Sequence, residues 1–168
     1  MARAARVGVS SGSTGFLRSD KVTIPKSDRP TLLWIDDFKP ALALYQATME
    51  SLGFRVLTAP SGPAGVKLFL LNHVDLVITD YEMPELKGDA VARMVKAIDP
   101  KVPVIMFSGS TVLGAESRRW IDAFCDKAGS RAQLMNSIYR LLARKHSRTL
   151  QPAPLVAASQ GERQRTVA

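Results

Sequence analysis

Three short runs of almost unbroken apolar character constrain this chain more than anything else in it. They are Thr31-Leu32-Leu33-Trp34-Ile35, Leu76-Val77-Ile78-Thr79 and Pro103-Val104-Ile105-Met106-Phe107. A strand with one wet face alternates apolar and polar residues, whereas a strand covered on both faces reads as a continuous apolar run. Each run is too short for a buried helix, and the stretches between them carry helical spacing. A chain of this kind must build a sheet and cover both of its faces.

The intervening segments supply the cover. The spacing predicts a helix over about 39–52, with Pro40 in its first turn and Leu42, Tyr45, Met49 and Leu52 as its apolar stripe. Gly53 stands where a left-handed cap would end that helix. Residues 54–58 read as a second strand, and Ser61 as the cap of a helix carrying Val66, Phe69 and Leu70. After a third strand at 75–80 comes a helix over 88–98 with Val91, Met94 and Val95. The fourth strand at 103–107 leads to a short helix near 114–120 and a weak fifth strand at 123–126. Ser130-Arg131-Ala132-Gln133 has the form of a capping box and opens a last helix with Leu134, Ile138 and Leu141 on one stripe. Five strands alternating with five helices make an α/β fold with a five-stranded parallel sheet and helices on both faces.

In such sheets ligands bind beyond the carboxyl ends of the strands. Asp36 and Asp37 end the first run, Asp80 ends the third strand and Ser108 ends the fourth. Carboxylates gathered there repel: two unit charges about 4 Å apart cost on the order of 4 kcal/mol at an effective dielectric near 20. Either one of them takes up a proton or a cation sits among them. An all-oxygen site suits Mg²⁺, which keeps several of its waters. One Mg²⁺ and the Lys127 ammonium would balance the three carboxylates. An Asp carboxylate can also act as a nucleophile and form an aspartyl-phosphate, with metal and lysine neutralising the transferring oxygens.

Bulk properties exclude several other classes. The net charge of +8 is concentrated in the flanks: residues 1–29 hold six Lys/Arg against two Asp/Glu, whereas 30–145 hold fourteen against twelve. The central domain is close to neutral, no aromatic platform for bases stands out, and nucleic-acid binding is not expected. No apolar stretch reaches the roughly 20 residues a membrane span needs, and no secretory signal is visible. Cys125 is the only cysteine, so no intrachain disulfide can form and a reducing, cytoplasmic setting fits. Gly62-Pro63-Ala64-Gly65 lacks the Lys-Ser/Thr ending of a phosphate loop. The domain expected is 30–145, between a disordered basic extension at 1–29 and a disordered tail at 146–168.

The ordered set Asp36-Asp37, Asp80-Tyr81-Glu82-Met83-Pro84 with Gly88, Ser108-Gly109 and Lys127 resembles the response-regulator receiver domain of two-component signalling. The resemblance covers about residues 30–145 and implies a flavodoxin-like strand order 2-1-3-4-5. It implies that Asp80 is the phosphoacceptor, that Asp37 binds Mg²⁺ directly, and that Asp36 acts through a metal-bound water. The Glu82 backbone carbonyl would complete the protein ligands, Lys127 would pair with the phosphoryl group, and Ser108 would be the switch hydroxyl. Phe124, three residues before Lys127, matches the aromatic whose rotation reports phosphorylation.

On this reading the chain is not an enzyme acting on other molecules but a stand-alone phosphoacceptor that takes part in its own phosphorylation and dephosphorylation. Its partners would be a sensor histidine kinase or phosphotransfer protein and an unidentified downstream protein, with room for a homodimer. Three features depart from the family pattern. Ala128 stands where a cis proline is usual, Asp126 where an apolar residue is usual, and the stretch from Ser108 to Lys127 is short enough to imply a trimmed fourth helix. The Ala128 and Asp126 departures motivate a rival, a degenerate receiver that binds a partner without phosphoryl chemistry. A second rival is a Mg²⁺-dependent phosphohydrolase, because Glu82 stands two residues after Asp80, where such enzymes keep a general acid. Trp34, Tyr45 and Trp120 read as packing residues.

Overall fold

The computed structural model describes residues 29–109 and 113–149. The expected basic extension falls outside the described residues except for Arg29, as does the expected tail from residue 150 onward. Ten elements alternate along the chain: β1 (Thr31–Ile35), α1 (Lys39–Ser51), β2 (Arg55–Ala59), α2 (Gly62–Leu71), β3 (Leu76–Thr79), α3 (Gly88–Ile98), β4 (Val104–Ser108), α4 (Ala115–Arg118), β5 (Ala123–Asp126) and α5 (Arg131–Thr149). The strands form one sheet in the order β2-β1-β3-β4-β5, and every neighbouring pair is parallel. This is the strand order that the resemblance implied.

The continuous apolar runs are explained by cover on both faces. β1, β3 and β4 are buried at every position. Because side chains alternate along a strand, Leu32, Trp34, Leu76, Ile78, Ile105 and Phe107 all join one core, with Leu42 and Met49 of α1 and Leu134 and Ile138 of α5. The intervening residues Leu33, Ile35, Val77 and Val104 join a second core with Val66 and Phe69 of α2 and Val91 and Val95 of α3. Burial of each such side chain contributes about 1.5–3 kcal/mol, so the two cores fix the sheet and thereby the strand ends. Under the first core an aromatic cluster forms: Trp34 stacks on Tyr45 at 4.3 Å between centroids, and Phe107 meets both edge-on.

Local signals behave as their chemistry requires. Pro40 lies in the first turn of α1, and Gly53 adopts a φ of 94° as the chain reverses after that helix. The Ser61 hydroxyl accepts from the Ala64 N–H, and Ser130 accepts from the Gln133 N–H. Three residues assigned to buried stripes are exposed instead: Leu52, Leu70 and Met94. Leu52 lies past the end of α1, which stops at Ser51. Leu70 and Met94 sit one position, about 100° of helix rotation, from the buried Phe69 and Val95. The fourth helix is shorter than expected, a single turn at Ala115–Arg118, and α5 runs past the expected domain end at 145 to Thr149.

At the amino ends of the strands a charged clamp holds the sheet to α5. Asp75 accepts the Thr31 N–H on one oxygen and the Lys145 ammonium on the other, each at 2.9 Å, and Lys145 also donates to the Val74 carbonyl. Burial alone would raise the Asp75 pKa. The hydrogen bonds from Thr31 and Lys145 and the nearby positive charges outweigh it and hold the carboxyl below its usual value.

Candidate functional site

The sheet register carries four polar side chains to one edge. Asp36 follows β1 directly and extends the ladder by donating its N–H to the Ala59 carbonyl. Asp80 follows β3 and donates to the Ile35 carbonyl at 2.8 Å, so the two carboxylates start from adjacent backbones. Ser108 closes β4 opposite Asp126, and the Lys127 N–H donates to the Ser108 carbonyl at 3.0 Å. No side chain needs to travel far; the parallel ladder sets the spacing.

The resulting cluster is compact. One oxygen from each of Asp36, Asp37 and Asp80 lies within 4.8 Å of the others. Asp36 and Asp80 are buried and Asp37 is exposed. The Lys127 ammonium reaches between the two buried carboxylates, 2.7 Å from Asp36 Oδ2 and 2.9 Å from Asp80 Oδ2. Their other oxygens are held by the backbone: Asp36 Oδ1 accepts from Phe38 and Asp80 Oδ1 accepts from Tyr81. Both carboxylate planes are therefore fixed before any ligand arrives. Burial by itself would lower the Lys127 pKa, but its hydrogen bonds to Asp36 and Asp80 and their charges prevail and raise it above the usual lysine value.

The loop after Asp80 is shaped by one close approach. A Cβ at Gly88 would collide with the Asp80 carbonyl, and the Gly88 N–H donates to Tyr81 O at 3.0 Å. Met83 is buried in the second core and anchors the loop, while Glu85 takes a positive φ of 65°. The Glu82 carboxylate faces the Lys87 ammonium at 3.7 Å, and that ammonium also lies over the Tyr81 ring. Ser108 is 1% exposed at the end of β4, and Phe124 is half-buried on β5, the edge strand. Of the residues singled out in the sequence, Asp36, Asp37 and Asp80 cluster, Lys127 bridges Asp36 and Asp80, and Ser108 stands on the adjacent strand end. Phe124 lies back along β5.

Oxygen donors alone, three of them carboxylates, suit a small hard cation such as Mg²⁺. Lys127 already neutralises part of this charge, and the exposed Asp37 leaves the cluster open on the solvent side. The donor set fits the ion.

The sequence profile of the response regulator receiver domain matches residues 32–138. The chain belongs to the response-regulator receiver family. Among curated proteins, the autoinducer 1 sensor kinase/phosphatase LuxN of Vibrio campbellii is 30% identical over 113 residues, 67% of this chain and 13% of that protein. The virulence sensor protein BvgS of Bordetella pertussis is 40% identical over 68 residues, 40% of this chain and 6% of that protein. The chain thus spans a small fraction of these relatives. Among solved structures, a receiver domain from Clostridium thermocellum superposes with a TM-score of 0.66 at 30% identity, covering 70% of this chain and 98% of that one. The response regulator TrrA of Thermotoga maritima, solved in complex with Mg²⁺-BeF, shares the fold with a TM-score of 0.64 at 24% identity, over 67% of this chain and 98% of that one.

Receivers are phosphoacceptor modules of two-component systems, supplied by histidine kinases or phosphotransfer proteins, and they bind Mg²⁺ in an acidic pocket. Two structural roles in this receiver are not given by the sequence pattern. The backbone donors Phe38 and Tyr81, which orient the buried carboxylates, carry no side-chain signature. Asp126 accepts the Ala128 N–H on its side chain at 2.8 Å and the Gly129 N–H on its carbonyl at 3.0 Å, which organises the loop leaving Lys127. Among the described residues all peptide bonds are trans, Lys127–Ala128 included. No helix among them is long and apolar enough to cross a membrane.

Proposed function

We propose that this receiver accepts a phosphoryl group on Asp80 from a histidine kinase or phosphotransfer protein, in a Mg²⁺-dependent reaction, and works as a phosphorylation switch in the cytoplasm. The observation that carries the reading is the Lys127 ammonium held between Asp36 and Asp80 at 2.7 and 2.9 Å. A structural ion pair needs one carboxylate; two buried ones converging on one lysine, with a third nearby, make a site built for additional positive charge.

Asp37 and Asp36 would hold Mg²⁺, the latter through a bound water, with Asp80 and the Glu82 carbonyl completing the set. Bound there, the ion would neutralise charge on the oxygens of the transferring group. The Asp80 carboxylate attacks phosphorus in line with the leaving group. The new O–P bond forms as the donor's P–N or P–O bond breaks, and the donor departs with the electron pair. Tyr81 N–H and Lys127 hold the carboxylate for that attack. In the product Lys127 pairs with a phosphoryl oxygen instead of the Asp80 carboxylate, and the Ser108 hydroxyl donates to another. Movement of Ser108 and rotation of Phe124 shift the population toward a second state of the face around β5, which a downstream protein reads.

The phosphohydrolase alternative needs Glu82 as an acid at the site, yet its carboxylate turns to Lys87 in the exposed loop. The test is incubation with acetyl phosphate followed by intact mass measurement. The expected result is the gain of one phosphoryl group that requires Mg²⁺ and is absent in Asp80→Asn. No gain, or a gain retained in that variant, contradicts the switch and leaves a receiver that only binds.

A further inference from the structure

We propose that Asp126 is a positioning residue for Lys127, holding the lysine over the buried carboxylates through the turn that follows it. The proposal goes beyond the phosphoacceptor reading, and one arm of its test rests on that reading.

Lys127 is the first residue past β5, where the ladder no longer fixes the backbone. Upstream it is still tied, because its N–H donates to the Ser108 carbonyl at 3.0 Å. Downstream, the next two peptide groups both close back on Asp126. Ala128 N–H donates to the side-chain Oδ1 at 2.8 Å and Gly129 N–H donates to the main-chain carbonyl at 3.0 Å. An aspartate that accepts from the N–H two residues on mimics a backbone turn. The Lys127 backbone is therefore held on both sides, by its own N–H to Ser108 and by the following N–H to Asp126, and the start of its side chain is positioned with it. The side-chain acceptor for the peptide following Lys127 is the Asp126 carboxylate.

Charge supports the same assignment. A fourth carboxylate next to a cluster of three would add repulsion if it pointed into the site. Side chains alternate along a strand, and the Asp126 carboxylate is engaged with its own loop. Its role is that of an acceptor, so an amide oxygen in the same place should serve.

Lys127 occupies two of the carboxylates a metal ion would share, so the ammonium and Mg²⁺ compete for negative charge while both assist phosphoryl transfer. Loosening Lys127 should then change the two activities in opposite directions. The experiment compares Asp126→Ala and Asp126→Asn with the full wild-type chain, measuring Mg²⁺ binding by titration calorimetry and the rate of phosphorylation by acetyl phosphate. Asp126→Ala is expected to bind Mg²⁺ more tightly and to be phosphorylated more slowly, each by about tenfold, the low end of the scale of one lost hydrogen bond to a charged group. Asp126→Asn is expected to stay within about twofold of wild type on both, since it keeps the acceptor.

Asp126→Ala indistinguishable from wild type on both measures would overturn the proposal, as would parallel weakening of both, which general loosening of the fold produces. An Asn variant behaving like Ala would overturn it too, because charge and not the turn would then be responsible. If the wild-type chain takes no phosphoryl group, the phosphoacceptor reading fails. The Mg²⁺ titration still decides the positioning role, supporting it if Asp126→Ala alone binds more tightly and overturning it otherwise.

Discussion

Replacing Lys127 with methionine removes the ammonium while keeping a side chain of similar length, and it isolates the electrostatic design of the site. In the wild-type chain the ammonium is 2.7 Å from Asp36 and 2.9 Å from Asp80. In Lys127→Met these carboxylates face each other with oxygens no more than 4.8 Å apart. At an effective dielectric near 20 that repulsion amounts to about 3.5 kcal/mol, within the range of about 3–5 kcal/mol for breaking a buried pair by removing one partner. Urea unfolding in the absence of divalent ions should show a loss of about 3 kcal/mol with an unchanged m-value. Millimolar Mg²⁺ should return most of that loss, because an ion that binds only the folded state stabilises it by mass action. The same pairing raises the Lys127 pKa. The stability it contributes is thus fully present below the unfolded lysine value of 10.5 and disappears as pH rises through the higher folded one. Stability equal to wild type without metal, or a deficit that Mg²⁺ leaves untouched, would refute the reasoning.

Two further outcomes follow from other parts of the fold. Asp75→Asn keeps an acceptor for Thr31 but loses the Lys145 ion pair, and should cost about 1–3 kcal/mol at neutral pH. Because the Asp75 pKa is lowered in the folded state, its stabilisation is present above 3.8 and is lost as pH falls through the folded value. The stability difference between wild type and variant, followed by urea unfolding, should therefore shrink on acidification. Gly88→Ala drives a methyl group into the Asp80 carbonyl and toward the Met106 sulfur. It should cost about 1–3 kcal/mol by urea unfolding and slow phosphorylation of Asp80, whereas an unchanged midpoint would show that the loop yields freely.

Much of the fold is legible in the sequence because the decisive signals are local or periodic. Continuous apolar runs such as Leu76–Thr79 specify burial on both faces, and burial on both faces specifies a parallel sheet with helices above and below. Strand ends then follow, and the carboxylates at 36 and 80 fall on neighbouring ends through ladder bonds that any residue could make. What stays illegible depends on long-range pairing or on backbone donors. Asp75 reads as an ordinary strand-opening residue until Lys145, 70 positions away, is found against it. Phe38 and Tyr81 orient the carboxylates through main-chain N–H groups that their side chains do not advertise. Leu70 and Met94 fall on the apolar stripes by spacing yet lie in solvent, because spacing alone does not say how wide a helix's buried stripe is. Asp126 is visible in the sequence only as a departure from the family pattern; its purpose emerges when Ala128 and Gly129 close on it.

The central claim is that the carboxylate at position 80 is the nucleophile. An acyl phosphate on an aspartate is reduced by borohydride to the corresponding alcohol, homoserine, which marks the residue permanently. After treatment with acetyl phosphate and Mg²⁺, reduction and peptide mass mapping should place homoserine at position 80, with none when the metal is withheld. Homoserine at 36 or 37, or none anywhere while the protein remains folded and metal-bound, would contradict the account.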